Sequence, residues 1–170
     1  MKRKFVLLDR DGTVIFERNY LSNPDHIELL PGASDALKKI KKLGLGLLII
    51  TNQSGIGRKY FDLSTLEKIH QKLTNLLLKE DVVLDDIYFC PHTPEDNCAC
   101  RKPKKHNFDP NLCFVVGDNR SDIELGKNID ATTILVRTGY GKQTEKGGLN
   151  PDYVADNLNE VFSIIKNELA

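Results

Sequence analysis

Asp9 and Asp11 carry the clearest chemical potential in this chain. They stand two residues apart in Asp9-Arg10-Asp11-Gly12-Thr13, directly after the apolar run Phe5–Leu8. If extended geometry continues past that run, both carboxylates point the same way. Phosphoryl transfer needs a nucleophile, a proton donor for the leaving oxygen and a cation to neutralise phosphate oxygens. Asp9 can attack phosphorus and carry an aspartyl-phosphate. Asp11 can protonate the leaving alkoxide and later activate water. Gly12 lets the backbone turn sharply and approach a phosphate. Taken alone, Asp-x-Asp reads as a solvated turn.

Three further stretches change that reading, each placed after an apolar run. Gly117-Asp118-Asn119-Arg120-Ser121-Asp122 brings two more acids. Asp9, Asp11 and Asp118 make a hard oxygen site suited to Mg²⁺, and such a cluster repels itself unless a cation sits in it. Asp122 either orients the metal shell or caps the following helix. Thr51-Asn52-Gln53-Ser54 adds neutral donors able to hold phosphate oxygens near a helix start. Lys102 offers a compact positive charge, and Arg101 a planar fork for a second anionic or polar group.

A second constellation precedes these two cations. Cys90-Pro91-His92 and Cys98-Ala99-Cys100 supply three thiolates and one imidazole, a set able to close a tetrahedral zinc site. A closed site has no position for water and is structural. It would pin the loop carrying Arg101 and Lys102. Cys113 stands apart, at the start of an apolar run.

The elements that must position these groups alternate. Strands are predicted at Phe5–Leu8, Leu45–Ile50, Asp86–Phe89, Leu112–Val116 and Thr132–Val136. Helices are predicted from Pro31-Gly32-Ala33-Ser34 to about Leu43, over residues 64–79 behind Asp62 or Ser64 as cap, at Ser121–Lys127 and at Asn157–Leu169. Residues 14–31 read as polar, and Gly139–Asn150 as a mobile polar loop. Strand–helix alternation implies a three-layer α/β fold: a Rossmann-like parallel sheet with helices on both faces. Its strand C-terminal ends are where ligands bind. The 170 residues fit one domain.

Twenty-four basic residues balance twenty-four acidic ones, so no global field draws in nucleic acid. No stretch approaches the roughly 20 apolar residues of a membrane span. The basic start with its short apolar run is too brief for a secretory leader. The cysteine cluster suits a reducing compartment. A cytoplasmic monomer acting on a small molecule is expected.

The four stretches, in this order, resemble the haloacid dehalogenase superfamily. Asp9 and Asp11 match its first motif, Thr51 its second, Lys102 its third, and Asp118 with Asp122 its fourth. Asp-Arg-Asp-Gly-Thr, Thr-Asn-Gln-Ser-Gly and Cys-x-His…Cys-x-Cys-Arg-Lys-Pro together are similar to the D,D-heptose 1,7-bisphosphate phosphatases, with the histidinol-phosphatase domain as close relative. The resemblance implies an Mg²⁺-dependent phosphatase with structural zinc and no large cap domain. It makes Asp9 the nucleophile and Asp11 the acid/base, with Thr51 and Lys102 holding the reacting phosphoryl group. Arg101 and the stretch Glu17-Arg18-Asn19-Tyr20 would meet the sugar, with Asn52, Gln53 and Ser54 beside them. Removal of the 7-phosphate is the expected reaction, histidinol phosphate the alternative substrate, and a zinc-stabilised relative without turnover the non-enzymatic one. One departure stands out. Lys104–Pro110 follows Arg-Lys-Pro directly, where the family has Gly-Met and an amphipathic helix, so about two helical turns are missing from the crossover.

Overall fold

The computed structural model describes residues 4–102, 104 and 113–170. Six strands form one sheet in which every pairing is parallel. They are β1 (Phe5–Leu8), β2 (Gly46–Asn52), β3 (Asp86–Cys90), β4 (Cys113–Gly117), β5 (Thr132–Val136) and β6 (Tyr153–Ala155), in the spatial order β3-β2-β1-β4-β5-β6. The order reverses at β1, so β1 lies between β2 and β4 and its C-terminal end opens onto the switch point.

The central strands are buried on both faces, which explains their unbroken apolar runs. Val6 and Leu8 of β1 face one core layer with Leu47, Ile49, Phe114 and Val116. Leu7 faces the other with Leu48, Ile50 and Val115. Helices α1 (Ala33–Lys42), α3 (Leu63–Lys79) and α6 (Leu158–Glu168) feed the first layer; α4 (Arg120–Asn128) feeds the second through Leu125. In α1 the buried residues Ala33, Ala36, Leu37 and Ile40 keep helical spacing. Gly44, at φ 85°, follows the end of that helix. Of the two candidate caps for α3, Asp62 is the one used: its side chain accepts from Thr65 N at 2.8 Å.

Several expectations shift. β2 runs on through Thr51 and Asn52. A four-residue helix α2 (Ser54–Gly57) follows, too short to show a period. The 14–31 stretch buries Val14, Ile15, Leu21 and Ile27, and Ile15 bridges both Asp11 and Leu29, so it belongs partly to the core. The predicted mobile loop 139–150 contains α5 (Gly141–Lys146), anchored where Arg137 donates from Nε and Nη2 to Glu145, each at 2.8 Å. β6 went unpredicted because three residues show no alternation; Asp152 fixes it by accepting from Thr133 N and Oγ1 at 2.7 and 2.6 Å. Apart from Lys104, the short passage Lys104–Pro110 lies outside the described residues, as does Leu112. No large cap covers the sheet edge among the described residues, and none of their helices is long and apolar enough to cross a membrane.

Candidate active site

Asp9 follows the last residue of β1, and its N–H donates to Val116 O at 2.9 Å, so the extended backbone carries it to the sheet edge. Asp118 leaves β4 beside it. Gly12 sits at φ 78°, and a Cβ there would run into Asp118 Oδ2. The two chain reversals can therefore approach this closely only with glycine at position 12.

Lys102 is buried and reaches across the strand tips. Its Nζ donates to Asp9 Oδ1 at 2.8 Å, to Asp122 Oδ1 at 2.5 Å and to Ile50 O at 2.7 Å. Its main chain is clamped by Asn52, whose Oδ1 accepts from Lys102 N at 3.0 Å and whose Nδ2 donates to Lys102 O at 3.3 Å. Burial alone would lower the Lys102 pKa, but the Asp122 and Asp9 carboxylates outweigh it and hold the amine above its ordinary value. Asp122 meets both alternatives left open by the sequence. Its Oδ2 accepts from Asn119 N at 3.0 Å in the capping box of α4, and its Oδ1 takes the lysine.

Three carboxylates against one ammonium leave the centre short of positive charge. Burial, together with Asp122 and Asp11, pushes Asp9 up to about 7 despite Lys102. Burial and the neighbouring Asp9 and Asp122 push Asp118 up to about 8. Asp118 Oδ2 accepts from Tyr140 N at 2.7 Å, whereas Oδ1 is buried with no protein partner among the described residues. Asp9, Asp118 and Asp122 each offer an oxygen within 4.8 Å of the others. An all-oxygen set with an orphaned lone pair and a charge deficit fits a hard divalent cation. Asp11 does not bring its carboxylate into this group. Its oxygens accept from Arg10 Nε and Nη2 at 2.9 and 3.1 Å and from Gln53 Nε2 at 2.9 Å.

Asp9, Asp11 and Lys102 line a cavity of about 490 Å³. Glu17, Asn19, Tyr20, Thr51, Asn52, Gln53, Ser54 and Arg101 share it. Arg18 does not: its Nη2 turns away to Glu28 at 2.8 Å and its guanidinium lies over Phe16. Asn19 and Tyr20 hold positive φ values of 52° and 69°, a strained pair at the rim, and Tyr20 meets Tyr60 edge-on with centroids 5.0 Å apart. Burial raises the Glu17 carboxyl, whose Oε1 accepts from Asn19 N at 2.6 Å.

The four residues of the cysteine–histidine cluster converge into a group that could hold a metal ion. Cys90, Cys98 and Cys100 hold their sulfurs 3.3–3.6 Å apart, and His92 Nδ1 is 3.4 Å from Cys100 Sγ and 3.7 Å from Cys90 Sγ. A tetrahedron with zinc–sulfur bonds of about 2.3 Å has edges of roughly 3.8 Å, so the set is of the right size. Burial pushes the Cys90 thiol up to about 12. At Cys98 burial also works upward but is outweighed by hydrogen bonds from Cys90 and Cys100, which bring it down to about 7. A cation would draw all three toward thiolate. The loop is tied to the active site through Gln53 N, which donates to Cys90 O at 2.7 Å, and through Arg101 Nη1, which donates to His92 O at 3.0 Å. Removing zinc with a chelator under reducing conditions is expected to lower the thermal midpoint and the activity together, and Cys98→Ser to reproduce the loss. A purified chain with about one zinc by metal analysis is the companion result.

Comparison with known proteins decides the family. Residues 95–161 match a family model described as "HAD-hyrolase-like". The D-glycero-beta-D-manno-heptose-1,7-bisphosphate 7-phosphatase of Helicobacter pylori (strain J99) is 39% identical over 173 residues, covering 96% of this chain and 97% of that protein. The same-named protein of Pasteurella multocida is 35% identical with the same coverage. The chain belongs to this phosphatase family. The crystal structure of D,D-heptose 1,7-bisphosphate phosphatase from B. bronchiseptica, complexed with magnesium and phosphate, superposes with a TM-score of 0.87 at 32% identity, over 97% of this chain and 99% of that one. The six-stranded parallel sheet is therefore the haloacid-dehalogenase-like Rossmann fold.

Within this family site, sequence reading passed over Arg10, Arg120, Glu124 and Tyr140, all of which line the cavity. Arg10 stands between the two acids of the first motif. Tyr140 acts through its main-chain N–H, which no side-chain pattern reports. His70 on α3 was also passed over. Burial, followed by the positive charge of Arg10, brings its pKa down to about 4, and its Nε2 is buried without a protein partner among the described residues. Below pH ~6.5 the unfolded chain takes up a proton at this histidine that the folded chain refuses. His70 is thus expected to contribute to an acid loss of stability that develops as pH falls from about 6.5 to 4. Its share is on the order of 3 kcal/mol at most. Chemical denaturation at a series of pH values should show a shallower acid loss in His70→Leu than in the wild type.

Proposed function

We propose that this chain removes the 7-phosphate of D-glycero-β-D-manno-heptose 1,7-bisphosphate by way of an aspartyl-phosphate on Asp9. The observation that carries the reading is the Lys102 bridge between Asp9 and Asp122 at the head of a cavity lined by neutral donors. Relatives named for this reaction, matching almost the whole chain, support the substrate class.

In the proposed cycle the carboxylate of Asp9 attacks phosphorus. The Asp9–phosphorus bond forms as the bond to the sugar oxygen breaks, and Asp11 gives that oxygen its proton. Asp11 then takes a proton from water as the water attacks phosphorus, releasing inorganic phosphate and restoring both carboxyl groups. Thr51 donates to a phosphoryl oxygen, and Lys102 compensates charge on the nucleophile side. Asp9 and Asp118, with Asp122 beside them, would hold magnesium, which when bound supplies the positive charge that the phosphate oxygens and carboxylates lack. Glu17, Asn19, Tyr20 and Arg101 would meet the sugar and the distal phosphate, with Asn52 and Gln53 supporting their neighbours from within the site. Cys90, His92, Cys98 and Cys100 would hold structural zinc.

The reading treats residues 1–170 as one phosphatase domain, monomeric and cytoplasmic, without nucleic-acid or membrane partners. Reduced zinc-loop thiols are consistent with that compartment. The direct test is phosphate release from heptose 1,7-bisphosphate and from histidinol phosphate, with and without magnesium. The expected result is magnesium-dependent release with the higher kcat/KM on the heptose. The reverse preference would move the assignment to histidinol phosphate. Absence of turnover on any sugar phosphate would leave a zinc-stabilised binding protein.

A further inference from the structure

Gln53 holds three neighbours at once. Its Oε1 accepts from Arg10 Nη2 at 3.0 Å, and its Nε2 donates to Asp11 Oδ2 at 2.9 Å and to Thr51 Oγ1 at 2.8 Å. The amide can sit only one way round. An arginine only donates, so the amide oxygen must face Arg10; an ionised carboxylate only accepts, so the amide nitrogen must face Asp11. Both amide protons are then committed. Thr51 Oγ1 accepts one of them, which leaves its own proton available to donate into the cavity it lines.

The same count fixes Asp11. Its Oδ2 accepts from Arg10 Nε and Gln53 Nε2, and its Oδ1 accepts from Arg10 Nη2. A carboxylate has about four lone-pair positions. Three are filled, and the remaining one is on Oδ1. Arg10 is fully buried and cannot swing aside into solvent. We propose that Gln53, backed by the Arg10 fork, is a positioning residue that orients the Asp11 carboxyl for proton transfer from Oδ1. The proposal rests on Asp11 acting as acid and base in the phosphatase cycle described above.

Leaving-group dependence separates this role from a structural one. Nitrophenolate departs without a proton, whereas a sugar alkoxide needs one. The substitutions are Gln53→Met, which keeps volume and loses all three bonds, and Gln53→Glu, which cannot donate to Asp11. Single-turnover release of the alcohol from heptose bisphosphate should fall by roughly 100-fold in both, the lower end of what a positioned general acid contributes. Release of nitrophenolate from p-nitrophenyl phosphate should fall by less than about 10-fold, so the ratio of the two rates changes by about an order of magnitude or more. KM for the heptose should change far less than kcat. Equal slowing of both substrates in either variant would reduce Gln53 to a structural residue, as would an unaffected heptose rate. A wild-type chain that releases neither alcohol would instead remove the phosphatase reading beneath the proposal.

Discussion

Asp9→Asn is expected to lower kcat on the heptose bisphosphate by at least about four orders of magnitude, because the carboxamide cannot attack phosphorus and no neighbouring group can replace it. Asp11 is held by Arg10 and Gln53, and Asp122 is engaged by both Lys102 and Asn119. The fold should survive the change. Asn keeps the shape of Asp and an oxygen for Lys102 Nζ. Asp9 is pushed up to about 7, with burial as the main cause, so ionising it costs more in the folded chain than in the unfolded one. The sign follows: a folded pKa above the unfolded value means that ionisation costs stability once pH rises past about 4. In the metal-free protein at pH 8, Asp9→Asn should therefore melt no lower than the wild type. Loss of activity with unchanged or raised thermal midpoint is the combined signature of a nucleophile held against its own electrostatics.

Lys102→Met is the second large effect, and it should fail differently. The ammonium is the group that joins Asp9 to Asp122 and to the carbonyl of Ile50. Removing it leaves two buried carboxylates facing each other without their shared cation. Truncating one partner of such a set costs on the order of 3 kcal/mol, less whatever the carboxyl groups recover by taking up protons. The thermal midpoint should fall. Activity should drop by roughly 100-fold or more, the scale of removing one preorganised charge donor from an active site. Arginine should not rescue it, since a planar fork cannot point one nitrogen at three oxygens in a space packed around an ammonium. A thermal melt and steady-state kinetics on the same preparations distinguish the two variants: Asp9→Asn inactive and stable, Lys102→Met impaired and destabilised.

The gathering of these side chains at one sheet edge was largely legible because it depends on residue type at strand ends. Asp9, Thr51 and Asp118 stand at the ends of apolar runs, and a parallel sheet brings such ends together whatever the details of the turns. The cysteine–histidine cluster was legible for a similar reason: three thiols and an imidazole fall within eleven residues, a set able to hold a metal ion. What sequence did not convey was direction. Thr51-Asn52-Gln53-Ser54 reads as a row of donors for substrate. In the folded chain Asn52 instead clamps the main chain of Lys102, and Gln53 spends its amide on Arg10, Asp11 and Thr51. Arg18 sits among cavity residues in sequence yet pairs with Glu28, ten residues on. Asp122 could not be assigned one role from sequence because its two oxygens perform two. In the fold, β6 and α5 escaped notice because both are short and neither has a period to detect. They are specified by single polar anchors, Asp152 on Thr133 and Arg137 on Glu145. Pairings of that kind depend on residues brought together only by folding.

The covalent step through Asp9 is most directly tested by the stereochemical course at phosphorus. The substrate is a heptose thiophosphate ester made chiral with oxygen isotopes and hydrolysed in isotopically labelled water. Transfer to Asp9 and then to water is two in-line displacements, so the released thiophosphate should show net retention of configuration. Net inversion would mean that water attacks the substrate directly, and would contradict Asp9 as nucleophile.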